Sequence, residues 1–211
     1  MESNLVSYWK MDNNWNDSKG SDHLTRYGSG TAFDTGLITD SANSGLFNPS
    51  SDQGDYAVKD PYSNQPIGNS VFSVELCFKA SDLSGTQIIF CMGADSGSPT
   101  AYGIYTVGNK LHAAFASSGG DIESSINLST GVVYHVVATY AGSSGRHKLY
   151  INASSTDGGS NTYASGNLSA GKITLGVWVN LGSIHQGKID EVSVYNTELS
   201  SDQVTDHYGR I

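Results

Sequence analysis

The chain is poor in charged residues and poorest in basic ones. Lysine and arginine together number 11 of 211 residues, against 20 aspartates and glutamates, and the net charge is −9. Binding a phosphate backbone requires basic side chains that displace its counterions, and no basic run occurs in this sequence. The composition therefore argues against nucleic acid as a main partner, and an acidic surface suits divalent cations or neutral ligands better.

Long apolar runs are also missing. No stretch approaches the ~18 consecutive apolar residues of a membrane span, so we expect no membrane insertion. The N-terminal segment MESNLVSYWKMD lacks the basic start and apolar run of a signal peptide. Either the signal has been removed or the protein leaves its cell by another route, as a virion component would. We therefore expect an extracellular, cell-surface or virion location.

Proline is scarce, with four residues, whereas glycine accounts for 25 and serine and threonine are abundant. This composition is typical of many short strands joined by tight polar turns. All-β sandwiches of this length are common as single units, so the sequence predicts one domain over residues 1–211.

The chain has two cysteines, Cys77 and Cys91, in the stretch VELCFKASDLSGTQIIFCMG. A hairpin turning near Ser84 would place them opposite each other, at a spacing close to that of a disulfide. Two free, packed cysteines are the alternative, since cysteine readily behaves as a small apolar residue. The sequence leaves both possibilities open.

Apolar residues alternate with polar ones along most of the chain, as in VFSVELCFKA. There Phe72, Val74, Leu76 and Phe78 share one face, and the residues between them share the other. Such alternation predicts strands with one dry face, as in two packed sheets. Only the C-terminal stretch ELSSDQVTDHYGR indicates a helix.

The C-terminal helix has a recognisable start. Ser200 is the predicted N-cap, and Gln203 occupies the capping-box position three residues later. Leu199 precedes the cap and is placed to pack against Val204. The sequence therefore predicts a helix of about two turns.

Three stretches together resemble the laminin-G-like, concanavalin A-like jelly rolls. They are the opening LVSYWKMDNNWNDSKGSDHLT, the central VYHVVATYAGSSGRHKLYINA and the closing GKIDEVSVYNTELSSDQV. The resemblance spans nearly the whole chain. It implies an all-β fold of two stacked antiparallel sheets, with loops clustered along one rim and one short C-terminal helix.

The segment WNDSKGSDHL near the N-terminus has two interpretations. It is a turn if its Asx side chains accept backbone hydrogen bonds. The resemblance implies instead a structural calcium ion (Ca2+), which requires six to eight oxygen ligands. The ligands would be the carboxylates of Asp17, Asp22 and Asp190 and the backbone carbonyl of His23, with Asp12 as a further candidate. The ion would then join the two ends of the chain.

A catalytic site is not expected. Glucanases of this fold use paired carboxylates, which within a strand need alternate positions. Asp190 and Glu191 are adjacent and should point to opposite faces, and Glu75 stands alone on its strand. Asp121 and Glu123 have the required spacing, but the Gly- and Ser-rich sequence GGDIESS predicts a solvated loop.

Recognition of a ligand is therefore the leading prediction, because jelly rolls of this kind commonly bind glycans through aromatic faces and amide groups. Trp178 is the candidate platform, beside Asn180 and His185 in a rim loop, and Tyr102 and Tyr105 are placed to line the same rim. These residues predict a non-catalytic, lectin-like module whose partner is a glycan or a glycosylated surface. The alternative is a virion structural or decoration component, or another surface assembly protein, which would contact other proteins of an assembly.

Overall fold

The structure is a computed structural model that describes these residues: 4–30, 32–48, 54–94, 101–116, 121–154, 161–162, 167–180 and 182–211. Within them the chain forms fifteen β-strands, one α-helix and one short 3-10 helix, Gly142–Ser144. The strands are β1 (Leu5–Trp9), β2 (Thr25–Tyr27), β3 (Phe33–Thr35), β4 (Asn43–Phe47), β5 (Tyr56–Lys59), β6 (Phe72–Ala80), β7 (Thr86–Gly93), β8 (Ala101–Val107), β9 (Lys110–Phe115), β10 (Ile122–Glu123), β11 (Tyr134–Tyr140), β12 (Arg146–Ile151), β13 (Asn161–Thr162), β14 (Lys172–Leu175) and β15 (Gly187–Tyr195). The helix is α1 (Ser201–Tyr208).

The strands form two antiparallel sheets packed face to face, which confirms the predicted jelly-roll sandwich. Sheet A has the order β13-β12-β11-β6-β15-β4-β3, and β1 pairs with β15 beside β4. Sheet B has the order β10-β9-β8-β7-β14-β5-β2. The first and last strands of the chain are therefore neighbours in sheet A.

The inner faces of the two sheets make the core. Phe72, Val74, Leu76 and Phe78 of β6 are fully buried there, as the alternation predicts. The outward side chains of β6 between them are buried as well, because α1 and its flanking residues pack on the outside of sheet A. Near its centre, sheet A therefore has buried side chains on both faces.

The predicted hairpin between the two cysteines is wrong. β6 belongs to sheet A and β7 to sheet B, so the connection crosses the sandwich instead of pairing the strands. Cys77 faces outward on sheet A and Cys91 outward on sheet B, and both are buried and form no disulfide. Burial, reinforced by the Asp190 and Glu75 carboxylates, raises the pKa of the Cys77 thiol.

Strand β15 contains a β-bulge. This bulge overturns the expectation that Asp190 and Glu191 point to opposite faces of the sheet. Asp190 opposes Cys77 and Ser193 opposes Glu75, so β15 carries one extra residue in this interval. Glu191 takes a φ of +52°, and Val192 returns to the core. As a result Asp190 and Glu191 both lie on the outer side of sheet A, since a bulge re-aims the side chains around it.

The C-terminal helix begins as predicted. The Ser200 side chain accepts from the Gln203 amide, and the Gln203 side chain accepts from the Ser200 amide. Leu199 and Val204 belong to one apolar cluster on the outside of sheet A. No helix in the described part of the chain is long and apolar enough to cross a membrane.

Candidate functional site

The outer face of sheet B carries an open cavity of about 480 Å³ above strands β7, β8 and β9. In β8 the alternation turns Tyr102 and Ile104 into the core and leaves Gly103 and Tyr105 on the outer face. The cavity is lined by Thr86, Ile88, Tyr105, Ala114, Phe115, Ala116, Trp178, Asn180, Gly182 and Ser183.

Trp178 reaches this cavity because its loop folds back over β7. The Ile88 amide donates to the Ser183 carbonyl at 2.9 Å, and the Trp178 amide donates to the Gly182 carbonyl at 3.0 Å. The indole lies across Gly103, where a Cβ atom would stand 2.4 Å from the Trp178 Cζ3 atom. The missing side chain at position 103 thus makes room for the tryptophan.

The wall beside Trp178 is built on β8 and β9. The rings of Tyr105 and His112 stack with their centroids 5.3 Å apart and an interplanar angle of 12°. The His112 Nδ1 atom donates to the Asp121 carboxylate at 2.8 Å, and Glu123 lies 3.8 Å from its Nε2 atom. Asp121 and Glu123 thus flank the wall, a role that the sequence did not predict for them.

Two of the five residues predicted to bind a ligand lie elsewhere. Tyr102 points into the core, fully buried, and its hydroxyl hydrogen-bonds to His147. His185 is fully buried against Phe47 and Phe78, and its burial lowers its pKa to about 4. The other three, Trp178, Asn180 and Tyr105, surround one cavity.

The outer face of sheet A holds a different polar cluster, centred on Glu75. His135 Nε2 donates to Glu75 at 2.7 Å, His207 Nδ1 at 2.9 Å and the Tyr195 hydroxyl at 2.7 Å. Burial alone would raise the pKa of Glu75, but the hydrogen bonds from the two histidines outweigh it and lower the pKa to about 2. Because His207 belongs to α1, the cluster fixes the helix to the sheet.

A cavity of about 280 Å³ lies beside this cluster. Glu191 lines it, and its carboxylate accepts a hydrogen bond from the Tyr8 hydroxyl. Burial raises the pKa of Glu191. The carboxylates of Glu75 and Glu191 are therefore both held by side chains of the protein itself.

The segment WNDSKGSDHL folds into a turn that is closed by its own aspartates. Asp17 accepts from the backbone amides of Tyr8, Lys19 and Gly20 at 2.9–3.0 Å. Asp22 accepts from the amides of residues 63 and 64, both at 3.1 Å. The indole of Trp9 donates to the Asp22 carbonyl at 2.9 Å, which anchors the turn to β1.

The other predicted calcium ligands have separate partners. Asp190 accepts from the Leu37 amide at 2.9 Å, and burial raises its pKa to about 7. Asp12 accepts from the amides of residues 42 and 43, and the His23 Nδ1 atom accepts from the Asp17 amide at 3.0 Å.

No three His, Cys, Asp or Glu side chains among the residues that the structure describes are grouped so as to hold a metal. The carboxylates of Asp17 and Asp22 are already surrounded by backbone donors. The arrangement of these residues does not fit a calcium site shared by Asp17, Asp22, His23 and Asp190, and calcium binding stays a prediction.

The two stacked antiparallel sheets define an all-β sandwich of the jelly-roll class. Residues 51–205 match the family model Laminin_G_3, described as the concanavalin A-like lectin/glucanases superfamily. The chain belongs to this superfamily, as its motifs predict. Comparison with curated proteins found no match.

Solved structures with the same fold come from larger proteins. Domain 4 of AbnA, a GH43 extracellular arabinanase from Geobacillus stearothermophilus solved in complex with arabinotriose, is 24% identical, with a TM-score of 0.72 and 98% of each chain covered. Botulinum neurotoxin type C, whose cell entry depends on interaction with two ganglioside molecules, is 14% identical, with a TM-score of 0.69. The binding domain of Paraclostridial Mosquitocidal Protein 1 is 15% identical, with a TM-score of 0.71.

These matches differ in the share of the neighbour's chain that the present chain spans. The present chain is covered to 98% by the neurotoxin and 97% by the mosquitocidal protein, but it spans about half of each of those two chains (51% and 52%). At these identities the likeness establishes the fold.

Proposed function

We propose that this chain is a non-catalytic carbohydrate-binding module whose site is the cavity on the outer face of sheet B. The observation that carries the proposal is the placement of the Trp178 indole across Gly103, with Tyr105 and Asn180 on the same cavity. Sugars offer apolar C–H faces to aromatic rings and hydroxyls to amides, and concave sites commonly combine these two kinds of contact.

The chemistry of the lining supports a sugar over an apolar ligand. Thr86, Asn180 and Ser183 are exposed and bring two hydroxyls and an amide to the cavity, while Trp178 is half-buried. A half-buried indole is held rigidly by its packing and still offers surface to a ligand. Rigid aromatic groups lose little conformational entropy on binding, which favours them as anchors.

The carboxylates support a binding role over a hydrolytic one. A retaining glycosidase needs one carboxyl as proton donor and a second as nucleophile, about 5–5.5 Å apart. Among the residues that the structure describes, no Asp or Glu lines the cavity on sheet B. Glu75 carries three hydrogen bonds on the opposite side of the sandwich.

The comparisons are consistent with this proposal. The arabinanase domain was solved in complex with arabinotriose, and cell entry of botulinum neurotoxin type C depends on interaction with two ganglioside molecules. We extend the proposal to a glycan partner outside the cell or at a cell surface. The assembly-protein alternative from the sequence would be favoured by self-association or particle binding without glycan binding.

The test is a glycan array followed by titration of the best binder. Trp178→Ala should weaken binding at least 30-fold, because buried aromatic anchors at interfaces contribute ~2 kcal/mol or more. Tyr27→Ala is the matched control. Tyr27 is 48% exposed and stacks on Tyr56 at the opposite edge of sheet B, away from the cavity.

Two results would contradict the proposal. One is silence of the wild-type protein across neutral and acidic glycans. The other is a glycan that binds the wild type and Trp178→Ala equally, since the site would then lie elsewhere on the molecule.

A further inference from the structure

We propose that the cavity on sheet B selects neutral glycans and rejects those that carry carboxylates, with Asp121 and Glu123 as specificity-determining charges. This inference deepens the proposed function and rests on it. It follows from where the chain places its charged side chains around the cavity.

No basic side chain is available to pair with an acidic sugar. All 11 lysines and arginines lie in the described residues, and none of them lines the cavity. A carboxylate brought into a concave, partly apolar site without a cationic partner loses hydration that nothing replaces. Acidic sugars would pay this desolvation cost in full, whereas neutral sugars would not.

Several of the basic side chains are held by partners of their own. Arg26 pairs with Asp55 at 3.0 Å, and Lys188 pairs with Asp34 at 2.8 Å. Lys148 pairs with Glu198 at 3.1 Å. Each of these contacts belongs to another part of the molecule, so the cavity gains no positive charge from them.

Two lysines do belong to the outer face of sheet B. Lys110 donates to the carbonyls of Ser124 and Ser125 at 3.1 and 2.9 Å, which holds its ammonium at the edge by β10. Lys172 opposes Gly93 in β14, two strands from Gly103. Neither side chain reaches the cavity lining.

Two acidic residues border the wall of this cavity. Asp121 and Glu123 flank His112, whose ring stacks on Tyr105 of the cavity wall. Both are exposed, so their field extends over the cavity to about a Debye length, roughly 8–10 Å at physiological salt. This wall therefore carries two carboxylates and one ammonium, that of Lys110, which is already hydrogen-bonded. The resulting negative charge repels an anionic sugar and leaves a neutral sugar unaffected.

The experiment compares matched neutral and acidic oligosaccharides by titration. The pairs are lactose with 3′-sialyllactose, and galactotriose with trigalacturonate, with arabinotriose as a further neutral probe. Among the probes that bind, the neutral member of a pair should bind at least tenfold more tightly at low salt, and higher salt should narrow the gap.

Charge variants identify the residues responsible. The double variant with Asp121→Asn and Glu123→Gln should reduce the difference in affinity between the neutral and the acidic member of a pair. Ser183→Arg, which places a cation on the lining, should reduce this difference further. Thr130→Arg is the matched control, because Thr130 is exposed and outside the cavity lining. It should leave the preference unchanged.

The outcomes separate the two proposals. If an acidic probe binds as tightly as its neutral partner and Trp178→Ala abolishes both, the charge inference is overturned and the proposed site stands. If the preference exists but none of the charge variants alters it, Asp121 and Glu123 are not its cause. If no probe and no array glycan binds, both proposals are overturned.

Discussion

The outer faces of the two sheets make a direct comparison, because each carries aromatic rings, histidine and carboxylates beside a cavity. On sheet A, Glu75 receives three hydrogen bonds and α1 covers the cluster. On sheet B, Trp178 and Tyr105 border an open cavity with hydroxyl and amide groups around it. Similar residue types are therefore covered by α1 on one face and border an open cavity on the other.

The difference lies in where the hydrogen-bonding capacity is used. The Glu75 carboxylate accepts from His135, His207 and Tyr195, so an entering ligand would have to break existing bonds. On sheet B the side chains of Thr86 and Asn180 are exposed at the cavity. A buried cluster of titratable residues does not by itself identify a ligand site, because structural networks shift pKa values as well.

The largest expected effect is on stability, from Glu75→Gln. A pKa lowered from 4.5 to about 2 corresponds to roughly 3 kcal/mol of stabilisation at neutral pH. Thermal unfolding at pH 7 should therefore show a midpoint lower by about 6–12 °C, with glycan affinity unchanged. Glu123→Gln, which changes an exposed carboxylate on sheet B, should change the stability by less than ~0.5 kcal/mol.

The same carboxylate predicts a pH dependence. Because the pKa of Glu75 is lower in the folded than in the unfolded chain, its stabilisation is present above about pH 4.5 and is lost as the pH falls towards 2. Denaturant unfolding of the wild type and Glu75→Gln should give free energies that converge across this window. A constant difference from pH 7 to pH 3 would show that the carboxylate charge is not what stabilises the cluster.

The fold was predictable from the sequence where local patterns decide it. Alternation fixed the inward face of β6, and Ser200 with Gln203 fixed the start of α1. The hairpin between the cysteines failed because alternation is identical for strands that pair and for strands that enter opposite sheets. The bulge at Glu191 could not be predicted either, since one inserted residue does not noticeably change the composition of a strand.

The candidate site was predictable in part for the same reason. Trp178 and Tyr105 are aromatic residues in or next to loops, and the structure brings them to one cavity. Tyr102 was predicted to lie on the rim, but the alternation along β8 turns its side chain into the core. The side chain of Tyr105, three residues later, faces outward. The approach of Trp178 to Gly103 joins residues 75 positions apart, which no local pattern predicts.

A smaller effect should follow from Gly103→Ala. The new Cβ atom would stand 2.4 Å from the Trp178 ring and push the indole away from its present position. Glycan affinity should fall about tenfold, which corresponds to ~1.4 kcal/mol. In the control Gly209→Ala, the nearest atom to the new Cβ lies at 3.5 Å, and affinity should stay at the wild-type value.

The smallest expected effect is the change in the thermal midpoint when calcium is removed. Because backbone amides already surround Asp17 and Asp22, excess chelator should move the thermal midpoint by less than about one degree. A site filled at 100 times its dissociation constant would add about 2.7 kcal/mol, which is a shift of several degrees. A shift of that size, abolished by Asp190→Ala, would establish the calcium clamp that the sequence predicted.

The most direct test of the comparison is an amide chemical-shift map of the protein titrated with the tightest-binding neutral glycan. We expect the shifts to concentrate on residues 86–88, 103–105, 112–116, 178–180 and 182–184, around the cavity on the outer face of sheet B. Residues 75 and 135 of sheet A and residue 207 of α1 should be unaffected. Shifts that cluster around Glu75 and α1 instead would contradict the assignment of recognition to sheet B and stability to sheet A.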